Sequence, residues 1–137
     1  MPVDPQLNAT NQVMVWGGRV LSALIVPPMV MGAIMSFRLP PDIATNFEAM
    51  GWPTSVAATI GVLNLSSLAL YLVPQTAVLG AVLLTGYLGG AVATHLRVGE
   101  DAKCIVPVVF GVIVWLGIFL REPRLRAILP WRTKQSP

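Results

Sequence analysis

Charge is scarce in this chain, and its scarcity excludes most kinds of soluble protein. Only 11% of the 137 residues are Asp, Glu, Lys or Arg, whereas about 25% is typical of globular domains. Cysteine occurs once, which excludes an internal disulfide and a CxxC redox pair. Histidine also occurs once, without a nearby cysteine or carboxylate cluster, and we predict no metal site. Walker, G-x-S-x-G, HExxH and dinucleotide motifs are missing too, so no catalytic motif assigns a reaction.

Apolar residues instead fill four long runs: 15–37, 55–73, 76–95 and 105–120. Each run is close to the roughly 20 residues that a helix needs to cross the ~30 Å hydrocarbon layer. These runs leave no room for a separate soluble domain. We therefore predict an all-α fold, an integral membrane antiparallel four-helix bundle that forms one domain over residues 1–137. The polar residues 1–13, with two prolines, are predicted to be a loose tail.

Two prolines interrupt the first run near its middle. Pro27 and Pro28 lack the amide that would bond to the carbonyl four residues earlier. They predict a kinked first helix. The kink either serves helix packing alone or opens a cavity for a ligand.

The connection between the first and second runs, residues 38–53, carries signals of its own. A Pro-Pro-Asp sequence near its beginning is typical of a helix start, and a glycine near its end is typical of a stop. Ile43, Phe47 and Met50 fall on one helical face between them. We predict a short interfacial helix, either as a plain connector or as a lid over the mouth of the bundle.

The second and third runs are joined only by Pro74 and Gln75, which forces an antiparallel hairpin. Asn64 and Thr85 each lie about ten residues from this turn, so both are about 15 Å deep at 1.5 Å per residue. An amide at that depth should point inward and find a hydrogen-bond partner. By depth, Thr85 and Tyr87 are the candidates. We identify Asn64, Thr85 and Tyr87 as candidate ligand-binding residues.

Small residues recur every fourth position in the third run, at Gly86, Gly90 and Thr94. This spacing lets helix backbones approach closely. Helix packing inside the bundle is the plain interpretation, and association with another subunit is the alternative. His95 follows directly. It is either an ordinary interfacial residue or a fourth ligand-binding residue that relays protons or bonds to a quinone carbonyl.

Polar residues near the end of the third run have an ordinary interpretation. Glu100 and Asp101 could act as acid and base, but Arg97 and Lys103 lie beside them. We interpret the segment as a solvated loop whose charges compensate one another. Cys104 is interpreted as a small residue at a helix start.

Lys and Arg residues predict the orientation. An even number of spans places both termini on one side, with Arg19, Arg121, Arg124, Arg126, Arg132 and Lys134. The opposite loops hold three: Arg38, Arg97 and Lys103. This bias predicts a multi-pass inner-membrane protein with cytoplasmic termini. The basic tail 121–137 is predicted to rest on anionic lipid head groups, and no nucleic acid partner is expected.

The hairpin from Ile60 to Gly99 resembles the DoxX-like family of small bacterial membrane proteins. The residues that carry the resemblance are Ile60-Gly-Val-Leu-Asn-Leu65 and the continuous stretch from Leu70 through Gln75 and Thr85-Gly-Tyr-Leu-Gly-Gly90 to Gly99. The Met50-Gly-Trp-Pro53 step and the four-helix layout extend it over most of the chain. Relatives often have an acidic residue where this chain has Asn64.

The resemblance implies a role in a quinone-linked membrane redox system, as a subunit or accessory protein, with quinone as the implied cofactor. On this hypothesis a cavity lies between the kinked first helix and the hairpin, with Asn64, Tyr87 and His95 as its polar contacts. The alternative is a non-catalytic helper or chaperone that binds another membrane protein, itself or an apolar ligand through helix contacts. Transport is disfavoured, because no charged residue in mid-membrane marks an ion path. Enzymatic turnover is left open.

Overall fold

The computed structural model of this chain describes the backbone of residues 5–128 and the side chains of residues 11–126. Every regular element in that range is helical, which confirms the predicted all-α class. The helices are α1 (Pro5–Leu24), α2 (Val26–Arg38), α3 (Pro41–Ala49), α4 (Ala57–Leu72), α5 (Ala77–Arg97), α6 (Ile105–Arg121) and α7 (Pro123–Ile128). Single turns of 3₁₀ helix precede α4 at Thr54–Val56 and α6 at Asp101–Cys104.

Four helical stretches are long and apolar enough to cross a membrane: Asn11–Arg38, Thr54–Leu72, Ala77–Arg97 and Asp101–Arg121. They confirm the four predicted membrane-capable helices. The prediction of a loose tail was wrong from Pro5 onward, because α1 begins there. Proline is favoured at the first position of a helix, since the amide that it lacks would have no partner there. Residues 1–4 of that tail, and residues 129–137 of the predicted basic tail, lie outside the described residues.

The first span is divided at Ile25, between α1 and α2. Pro27 and Pro28 therefore lie in the first turn of α2, where a proline costs no hydrogen bond. The Ile25 carbonyl accepts a hydrogen bond from the Met29 amide at 3.1 Å, and the Ile25 side chain is buried. Pro27 and Pro28, where the kink is predicted, follow this break by two and three positions.

Each span contacts two others in the structure. α1 contacts α6, α2 contacts α4, α4 contacts α5, and α5 contacts α6. A core of buried side chains lies between them, formed by Ile25, Met29, Leu68, Tyr71, Ala77, Ala81, Leu84, Leu88, Val114 and Ile118. The two halves of the first span thus contact different neighbours.

A buried polar cluster joins three helices around Tyr71. The Tyr71 hydroxyl donates to the Val114 carbonyl at 2.9 Å and lies 2.9 Å from the hydroxyl of Ser22, whose proton goes to the Gly18 carbonyl at 2.8 Å. The Arg121 guanidinium stacks over the Tyr71 ring at 4.5 Å and bonds to the Tyr71 carbonyl. The two hydroxyls thus give their protons to carbonyl oxygens inside the protein, as an apolar environment requires. Nε of Arg121 is buried without a hydrogen-bond partner among the described residues.

Glycines allow the closest helix approaches. A Cβ on Gly80 would lie 2.1 Å from the Tyr71 amide nitrogen, and a Cβ on Gly18 would lie 2.6 Å from the Gly117 carbonyl oxygen. A Cβ on Gly117 would lie 2.8 Å from both the Ser22 and Tyr71 hydroxyl oxygens. Only glycine fits these positions, so α4 contacts α5, and α1 contacts α6, almost backbone to backbone.

Candidate functional site

A cavity of about 460 Å³ lies between α4 and α5 and beneath the connector that contains α3. We call it the α3–α5 cavity. The connector contributes Phe47, Met50, Trp52 and Val56. The α4 wall consists of Thr59, Ile60 and Leu63, and the α5 wall of Gly86, Tyr87, Gly90, Ala91, Thr94 and His95. Its volume is in the range of small-molecule sites, roughly 300–1,000 Å³.

Glycines, which have no side chain, leave space along the α5 wall. A Cβ on Gly86 or Gly90 would meet no heavy atom within 4 Å. Both glycines and the nearby Leu63 are exposed. The cavity therefore opens sideways on the outer surface of the α4–α5 pair, at the depth of the apolar spans. A Cβ at Gly86 or Gly90, two of the residues predicted to serve helix packing, would therefore border open space in the described part of the chain.

The connector is fastened to the end of α5. The Arg97 guanidinium donates to the Met50 carbonyl, and Trp52 Nε1 donates to the Thr94 hydroxyl at 3.3 Å. Thr94 in turn donates to the Gly90 carbonyl at 2.9 Å. Gly51 turns the chain between them with φ +72°, a conformation that favours glycine. These contacts hold the apolar face of α3 over the cavity.

At the polar end of the cavity, the lining residue His95 begins a row of three charged or titratable side chains, of which Glu100 and Lys103 lie outside the lining. His95 Nδ1 lies 2.9 Å from Glu100 Oε2, and Lys103 Nζ donates to Glu100 Oε1 at 2.6 Å. Hydrogen bonds from Lys103 and then His95 lower the pKa of the Glu100 carboxyl. Because this folded-state pKa is depressed, the contacts to ionised Glu100 are present at neutral pH and are lost only as the pH falls through it.

A buried amide lies near the deep end of the cavity. Asn64 is 1% exposed, and its Nδ2 donates to the Met29 carbonyl at 2.9 Å. Its Oδ1 has no hydrogen-bond partner among residues 11–126. The Tyr87 side chain, which lines the cavity, approaches the Asn64 side chain. Burying a hydrogen-bond acceptor without a partner destabilises the folded state, so a group that donates a hydrogen bond would be favourable next to Oδ1.

Three of the four predicted ligand-binding residues lie in or beside the cavity, and one does not. Tyr87 and His95 line it, and the buried Asn64 side chain lies close to that of Tyr87. Thr85 faces α6 instead, where its hydroxyl donates to the Ala81 carbonyl and accepts from Trp115 Nε1, each within 2.9 Å. Residues two apart on a helix differ by about 200° in direction, which explains why Thr85 and Tyr87 point to different neighbours.

The predicted position of the cavity needs correction. We expected it between the kinked first helix and the hairpin, yet its described lining includes no residue of α1 or α2. The connector takes the place of the first helix. Phe47 and Met50, two of the three residues on the predicted apolar face of the connector, belong to this wall. Glu100, interpreted as part of a solvated loop with compensating charges, is partly exposed and pairs with Lys103 of that loop, and it also contacts the cavity residue His95.

Metal binding has no structural support in the part of the chain that the structure describes, where no three His, Cys, Asp or Glu side chains gather. Cys104 is buried, with its thiol 3.6 Å from the Val92 carbonyl. The arrangement instead suits an uncharged ligand with an apolar body and one polar head.

Comparisons with known proteins agree with the membrane-protein architecture. The model of the DoxX-like family matches residues 20–117, which include α2 to α5 and most of α6. Searches of curated proteins and of solved structures found no match. The matched range contains all the residues that line the α3–α5 cavity.

Proposed function

The chain belongs to the DoxX-like family, and from that premise we propose that it binds a lipophilic ligand in the α3–α5 cavity, as a subunit or accessory protein of a quinone-linked membrane redox system. The observation that carries this proposal is the cavity itself, about 460 Å³ in volume. Its walls are apolar, it opens sideways at the depth of the spans, and its outer end carries His95. A quinone, with an isoprenoid tail and a polar ring, has the corresponding chemistry.

We propose an antiparallel bundle, bent at Pro27 and Pro28, with both termini in the cytoplasm of a bacterial inner membrane. The helix contacts support the bundle, because they link the four spans in a closed cycle. Large exposed side chains such as Val62, Val82 and Leu116 supply the lipid-facing surface. In this topology the polar end of the cavity faces the periplasm.

Cysteine labelling tests this topology. In spheroplasts, we expect Asp101→Cys to react with a membrane-impermeant maleimide, whereas Gln75→Cys should react only after lysis. Both positions are exposed, so accessibility alone does not separate them. The native Cys104 is buried, and the unsubstituted protein supplies the background. The reverse labelling pattern would place both termini in the periplasm.

Ligand retention tests the proposed function directly. Protein extracted gently in detergent should carry an isoprenoid quinone, detected by mass spectrometry of a solvent extract. Gly90→Leu should lower the retained amount by about tenfold or more, because the leucine side chain occupies the cavity, and overpacking costs roughly 1–3 kcal/mol. Because nothing lies within 4 Å of a Cβ at this position, the variant should still fold.

Gly89→Leu is the matched control. Gly89 is the neighbouring residue on α5, is also exposed and has open space around it, but does not line the cavity. The same gain in size and helix propensity should leave retention unchanged. Equal loss in both variants, or no quinone in the unsubstituted protein, would argue against a cavity-bound quinone.

A non-catalytic helper is the second candidate, and the exposed glycines favour it. Gly86, Gly89 and Gly90 form an open surface of small residues on α5, where a helix of another membrane protein or of a second copy could approach closely. On this proposal a partner co-purifies, and both Gly89→Leu and Gly90→Leu disrupt the complex. Native mass spectrometry of the extracted protein therefore separates the two candidates, because it reports ligand, partner and copy number together.

A further inference from the structure

The protonation of His95 restricts the head group that the α3–α5 cavity can bind. His95 Nδ1 lies 2.9 Å from a carboxylate oxygen of Glu100. An ionised carboxylate can only accept hydrogen bonds, so Nδ1 must carry the proton. In a neutral imidazole the other nitrogen, Nε2, is then an acceptor. Lys103 contacts the second oxygen of Glu100 at 2.6 Å and favours its ionised form.

His95 Nε2, as an acceptor, favours a ligand that donates a hydrogen bond. The other polar groups of the cavity do not favour an acceptor ligand instead. Trp52 Nε1 can only donate, and its proton is used by Thr94. The Thr94 proton is used by the Gly90 carbonyl. The hydroxyls of Thr59 and Tyr87 can donate or accept, so they do not discriminate. In the neutral form of His95, the group with a fixed role that is left for a ligand is therefore the acceptor Nε2.

The deep end of the cavity also has a hydrogen-bond acceptor close to it. Oδ1 of Asn64 is an acceptor with no hydrogen-bond partner among the described residues, and the side chain of Tyr87, which lines the cavity, approaches that of Asn64. When the Tyr87 hydroxyl gives its proton to an amide oxygen, its own oxygen is left to accept. Tyr87 in that arrangement would offer the ligand an acceptor, and His95 Nε2 remains the acceptor on which the preference depends.

We propose that the ligand of the α3–α5 cavity carries a hydroxyl at its polar head, as a phenol or a hydroquinone does, and that His95 Nε2 accepts its proton in a hydrogen bond. Glu100 is a positioning residue, because it fixes the proton on Nδ1 and does not itself contact the ligand. This inference rests on the proposed lipophilic-ligand function. It narrows the ligand class to hydrogen-bond donors, so the reduced quinol is preferred to the quinone.

A pair of redox-inert probes tests the inference. Para-nonylphenol and its methyl ether share one apolar body, and only the phenol donates a hydrogen bond. Equilibrium binding would be measured at pH 8 with the full chain in nanodiscs, and empty nanodiscs would give the lipid background. We expect the phenol to bind about tenfold more tightly than the ether, which corresponds to one good hydrogen bond.

Two variants each remove one negative charge. Comparing them separates the positioning of the His95 proton from a general effect of charge on binding. Glu100→Gln releases the His95 proton from its fixed position, and the preference for the phenol should fall to within about threefold. Asp101→Asn removes the same charge from the adjacent exposed residue and should keep the preference. The affinity for the ether should be similar in all three proteins, which a general loss of structure would not permit.

The outcomes are distinguishable. Equal binding of both probes to the unsubstituted protein would overturn the donor preference while the lipophilic-ligand function stands. A preference that survives Glu100→Gln would overturn the role of the His95–Glu100 pair. Binding of neither probe above the empty-nanodisc background would overturn the proposed function as well.

Discussion

Gly80→Ala is expected to destabilise the protein by about 3 kcal/mol or more, at or beyond the upper end of the cost of overpacking. The added Cβ would lie 2.1 Å from the amide nitrogen and 2.4 Å from the Cα of Tyr71, and 2.6 Å from the carbonyl carbon of Leu70. All three are backbone atoms, which cannot turn aside as a flexible side chain can. The hairpin must therefore open where α4 and α5 are joined by Val73–Thr76. Unfolding by SDS in mixed micelles, followed by far-UV circular dichroism, measures the loss.

Gly89→Ala makes the same chemical change on the same helix, but it should stabilise the protein rather than destabilise it. Nothing lies within 4 Å of a Cβ at Gly89, so only helix propensity changes, which favours alanine by up to about 1 kcal/mol. A similar effect of the two variants would mean that the α4–α5 backbones do not approach as described.

This comparison shows which part of the fold could be predicted from the sequence. Hydropathy predicts the positions of the spans, because the thickness of the hydrocarbon layer sets their length. It does not predict their rotation, since in lipid both the inward and the outward faces of a helix are apolar. The spacing of Gly86 and Gly90 predicts that helices pack closely there. Among the described residues, neighbouring helices approach closely at Gly18, Gly80 and Gly117 instead. A close approach depends on the partner backbone, which no spacing within one helix reveals.

The candidate site was predictable in part for the same reason. Depth along the hairpin placed Asn64, Thr85 and Tyr87 at one level, but only rotation decides that Tyr87 approaches Asn64 while Thr85 contacts Trp115. The contact between Glu100 and His95 could not be predicted from the sequence, because a charged loop is usually solvated. Glu100 follows His95 by five positions, and the chain must fold back after α5 before the two side chains meet.

The break in the first span changes how its prolines are understood. As residues of a mid-membrane kink, Pro27 and Pro28 would leave carbonyls without partners. At the start of α2 they occupy positions whose amides would have no partner in any case. The break also lets α1 contact α6 while α2 contacts α4. The first span thus contacts α6 through α1 and α4 through α2.

Tyr71→Ala should cost about 3–5 kcal/mol, as for other buried aromatic residues replaced by alanine. The ring is fully buried in the core and stacks against the Arg121 guanidinium at 4.5 Å. Its removal leaves a void between α1, α4 and α6, and also leaves the Ser22 hydroxyl and the Val114 carbonyl without the Tyr71 hydroxyl. The same SDS titration measures the loss.

Tyr71→Phe separates packing from hydrogen bonding at this position. It keeps the ring and the stacking with Arg121, and Ser22 keeps its bond to the Gly18 carbonyl. Polar contacts between membrane helices contribute on average about 0.6 kcal/mol and at most about 1.7 kcal/mol, so we expect Phe to cost much less than Ala. If Phe is as damaging as Ala, the hydroxyl bonds rather than the ring hold these three helices together. Because this cluster lies at the opposite end of α5 from His95, Tyr71→Phe should also leave ligand retention unchanged.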